Sequence, residues 1–147
     1  MINSTTHIDK KRISTLNSFL RGELSAVETY SLAYIQLDGD PSGVLRENRD
    51  CHNRRVALLR DEIIEAGGIP DETSGAWGGF AKLVEKGAAV AGKQAIYAAL
   101  EEGEDHGLKL YRDRDDIDET TAEIISAHLL PAQQRSHDRM SLLKKAS

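Results

Sequence analysis

The chain has 147 residues, 24 acidic against 19 basic side chains and a net charge of -5. That length suits one domain with a continuous core, and the acidic balance argues against a dedicated nucleic-acid surface. A single cysteine, Cys51, excludes an internal disulfide and a cysteine-rich zinc site. No apolar run is long enough for a membrane span, and Met1 to Thr6 lacks the basic-then-apolar pattern of a secretory signal. The expectation is a cytoplasmic protein with no nucleic-acid and no membrane partner, with a homodimer allowed and any other partner unspecified by the sequence.

The prolines fall at 41, 70 and 131 only, leaving room for long helices between them. The first helix is expected from about Asp9 to Leu37, opened by a capping-box-like Thr6-His7-Ile8-Asp9. Its inward stripe reads Leu16, Phe19 or Leu20, Glu23, Val27, Tyr30, Tyr34, in steps of three and four. Asp38-Gly39-Asp40-Pro41 marks a stop and restart, with Asp40 as N-cap and Pro41 in the first turn. The second helix, about Ser42 to Ala66, carries Leu45, Asn48, His52, Val56, Leu59 and Ile63 and stops at Gly67-Gly68.

From Pro70 to about Gly92 the composition turns to Gly, Ala and Ser around Trp77 and Phe80, read as a long crossover with one short helix near Trp77 to Glu85. A third long helix, about Lys93 to Arg114, bears Tyr97, Leu100 or Glu101, Glu104, Leu108 and Tyr111 on one face. Thr120-Thr121-Ala122-Glu123 opens a fourth that reaches about Lys144, with a bend at Pro131. The fold class is therefore all-α, an up-down four-helix bundle of two hairpins joined by the crossover.

The two hairpins repeat. Gly22-Glu23 is followed by Tyr30, and Gly103-Glu104 by Tyr111, with the same seven-residue gap, or about two helical turns. His52 and His137 recur on helices two and four, each with an arginine two residues on. Each Glu interrupts an apolar stripe and so points inward, where an unpartnered carboxylate is costly. One divalent ion would neutralise two carboxylates, and Fe, Mn or Zn accepts mixed carboxylate and imidazole ligands. The alternative is a salt-bridged core with no metal, in which Arg49 or Arg55 turns inward to pair with Glu23. Cys51 is expected as a small buried residue, and His106 and His128 as polar surface groups.

The run Leu20-Arg21-Gly22-Glu23 through Tyr30, the His52 helix, Leu100-Glu101-Glu102-Gly103-Glu104 through Tyr111 and the His137 helix together resemble the ferritin-like superfamily. The likeness covers about Ile13 to Leu143 and is nearest to a bacterial ferritin-like group whose role is unassigned. In bacterioferritin and rubrerythrin such helices hold two irons through carboxylates and Glu-x-x-His motifs. The resemblance implies Glu23, His52, Glu104 and His137 as metal ligands, with Tyr30, Tyr111, Gln134, Arg49 and Glu101 around them. Two departures stand against a di-iron centre: Arg49 precedes His52 by three residues and Gln134 precedes His137 by three, where the family has glutamates. The implied function is thus a bundle binding one Fe, Mn or Zn ion, in storage, sensing or oxidative-stress chemistry. The alternative is a metal-free, non-catalytic interaction module; no residue is assigned a catalytic role.

Overall fold

A computed structural model describes residues 2–37, 39–75 and 92–147. Among these residues there are helices and no strands: α1 (Ile2–Gln36), α2 (Val44–Glu65), α3 (Lys93–Arg112), α4 (Glu119–Ile124) and α5 (Leu130–Ala146). A π-helical turn, Ile125–Leu129, joins α4 to α5, so the last three segments form one rod and four rods pack together. The short helix expected near Trp77 lies outside the described residues.

Local chemistry explains most boundaries. α1 starts at Ile2 rather than near Asp9, because neither Pro nor Gly stands before Asp9 to stop the helix, and the Thr6 to Asp9 box lies inside it. Asp40 and Pro41 form a turn just before α2 instead of its first residues, yet Asp40 still caps: its carboxylate accepts the Arg46 N–H at 2.9 Å. α2 ends on Gly67, at φ 90°, with Gly67 N–H donating to Ile64 O and Gly68 N–H to Ile63 O, a Schellman arrangement open to glycine. Asp118, rather than Thr120, caps α4, accepting from the Thr121 amide at 3.1 Å and hydroxyl at 2.6 Å.

The bend expected at Pro131 is the π turn. Proline has no N–H to give and its ring crowds the carbonyl four residues back, so the turn before it widens, with Leu130 N–H reaching Ile125 O five residues away.

Side-chain pairings fix the helix directions. α1 and α2 run antiparallel, as Glu23 meets His52 while Asn17 meets Ile69. Across α1 and α3, Tyr30 meets Glu104 and Tyr111 meets Glu23, which is also antiparallel. α2 and α3 therefore run the same way; the up-down order holds inside each hairpin but not across the crossover, which joins opposite ends of the bundle. The core has two apolar clusters, one around Leu16, Phe19, Leu59, Ile63 and Leu129, the other around Ala33, Leu45, Ile96, Leu100 and Met140. A layer of buried polar side chains lies between them. At the end of the first stripe Ala33 is buried, while Tyr34 is 38% exposed.

Candidate functional site: a buried Glu-His-Glu-Arg layer

All four rods contribute to the polar layer. α1 presents Glu23 and Tyr30, α2 presents Asn48, His52 and Arg55, α3 presents Glu104 and Tyr111, and α5 presents Gln133 and Ser136; each is buried. The two Glu-Tyr pairs repeated in the sequence bond reciprocally. The Tyr30 hydroxyl donates to Glu104 Oε2 at 2.6 Å, and the Tyr111 hydroxyl donates to Glu23 Oε2.

His52 bridges the carboxylates. Its Nδ1 lies 2.5 Å from Glu23 Oε1 and its Nε2 lies 2.8 Å from Glu104 Oε2. A carboxylate oxygen cannot donate, so both contacts require the imidazolium, with a proton on each nitrogen. Burial and the Arg55 charge push the His52 pKa down, but the Glu104 and Glu23 charges outweigh them and hold it above 6.5. Burial likewise pushes the acids up. Glu23 is nonetheless held below 4.5 by Arg55, His52 and Tyr111, and Glu104 is lowered to about 2 by His52 with the Ser136 and Tyr30 hydroxyls.

Arg55 lies beside this bridge with its side chain 4% exposed. Nη1 donates to Gln133 Oε1 at 2.6 Å, Nη2 donates to Ser136 Oγ at 3.1 Å and lies 2.8 Å from His52 Nδ1, and Nε is 3.4 Å from Glu23 Oε1. Nε is buried without a hydrogen-bond partner. Glu104 is fully engaged: Oε1 also accepts from Ser136 Oγ at 2.7 Å and Gln133 Nε2 at 2.8 Å. Asn48 Nδ2 donates to the Tyr30 oxygen at 3.0 Å and to Ser136 O at 2.9 Å, closing the layer. Gly107 makes room for Gln133, whose Nε2 would lie 2.5 Å from a Cβ placed there. On the α1–α3 side the layer borders a cavity of about 40 Å³ walled by Gly22, Ala26, Ala99 and Gly103, room for about one water molecule.

No family model, curated protein or solved structure matches the chain.

Of the four ligands expected from the sequence, the structure brings Glu23, His52 and Glu104 together and leaves His137 apart. His137 Nε2 lies 2.6 Å from Asp105 and its Nδ1 3.3 Å from Asp138, on a flank of α5. α5 turns Gln133, Ser136 and Met140 inward, and His137, one residue and about 100° round the helix from Ser136, falls on its flank. The surrounding residues divide the same way. Tyr30 and Tyr111 are in the layer; Gln134 is half-buried between Arg112 and Asp138, Arg49 pairs with Asp50 at 3.6 Å, and Glu101 with Lys144 at 2.9 Å. Cys51 is buried, and His106 and His128 are exposed.

This donor set does not suit a resident metal. Both His52 nitrogens are turned to carboxylates, so neither lone pair is free, and a guanidinium adjoins Glu23. No group of three or more His, Cys, Asp or Glu side chains among the described residues is arranged to hold an ion. Glu23 and Glu104 carry two negative charges, and Arg55 with the His52 imidazolium carries two positive ones. The layer is neutral from its own side chains.

Proposed function

We propose that the chain is a ferritin-like helical module that is non-catalytic and metal-free, with its function on its outer surface or in self-association. The observation that supports this reading is His52 held between Glu23 and Glu104 by both ring nitrogens, with Arg55 supplying the second positive charge. Where the resemblance implies two carboxylates and an ion, this chain has two carboxylates and two internal cations. A buried network of this kind adds little stability over an apolar core of the same shape, but every member must be in place at once, which favours one helix arrangement over its neighbours. That is a scaffold's requirement.

The test is elemental analysis of protein purified without chelator from cells supplied with Fe, Mn and Zn. The expected result is far less than one ion per chain in the native protein and in the Glu23→Ala and Glu104→Ala variants alike. About one ion per native chain, lost in both variants, would overturn the reading in favour of a single-metal protein.

A further inference from the structure

We draw no further inference here: the strongest candidate, the cavity of about 40 Å³ between α1 and α3 walled by Gly22, Ala26, Ala99 and Gly103, belongs to the polar layer already described, and nothing among the described residues shows what covers it.

Discussion

Glu104→Gln changes one oxygen to an amide nitrogen at the most heavily bonded carboxylate in the core. Oε1 accepts from Ser136 and Gln133, and Oε2 from His52 and Tyr30, so whichever oxygen is replaced, two donors meet a third. The charge contribution follows from the pKa. Lowering it from 4.5 to about 2 corresponds to about 3 kcal/mol of native stability near neutral pH. With the bonds it breaks, E104Q is expected to cost about 3–5 kcal/mol at pH 6. A depressed acid pKa stabilises the fold above the unfolded value of 4.5, and the benefit fades as pH falls toward the folded value. The gap between native protein and E104Q should therefore narrow by about 2 kcal/mol between pH 6 and pH 3. Urea unfolding followed by far-ultraviolet circular dichroism at the two pH values measures it. A gap independent of pH would refute the assignment of charge to Glu104.

On the alkaline side the sign reverses. His52 has a raised pKa, so its contribution is complete below 6.5 and is lost as pH rises through the folded value; native stability should be greatest between about pH 4.5 and 6.5, and a chemical-denaturation series across pH 4 to 10 checks it. Gly107→Ala places a methyl 2.5 Å from Gln133 Nε2, which pulls that amide off Glu104; about 1–3 kcal/mol of destabilisation is expected despite alanine's better helix propensity, and a loss below about 0.5 kcal/mol would show that Gln133 moves freely. Tyr111→Phe leaves Glu23 Oε2 without its hydroxyl donor and should cost about 1–3 kcal/mol, whereas Tyr34→Phe, at a side chain 38% exposed, should cost less than about 0.5 kcal/mol in the same melts.

How much of this was legible from the sequence depended on whether helix phase stayed regular. On α2 it did: Leu45, Asn48, His52, Val56, Leu59 and Ile63 are all buried, as a 3.6-residue period requires. Glu23 and Glu104 were visible as polar breaks in apolar stripes, and Arg55 as a cation able to turn in toward Glu23. Gln133 and Ser136 were not visible. A π turn resets the phase of everything after it, and an even count from α4 onward misplaces the inward face of α5. One sequence cue is Pro131, which signals a distortion without giving its size. Gly107 is a second cue: a glycine inside a helix, on the side facing α5, marks where a neighbouring side chain comes close.

The sequence repeat invites the idea that each hairpin could pair with a copy of itself. The polar layer argues otherwise. The first hairpin brings Glu23, His52 and Arg55, a core charge of one positive unit, and the second brings Glu104 alone, one negative unit. Two first halves would bury two uncompensated positive charges, and two second halves two negative ones. If the chain arose by duplication, its halves have since become unlike and mutually dependent. Each now serves as the other's counter-ion, and a chain cut in the crossover should reassemble only as the mixed pair.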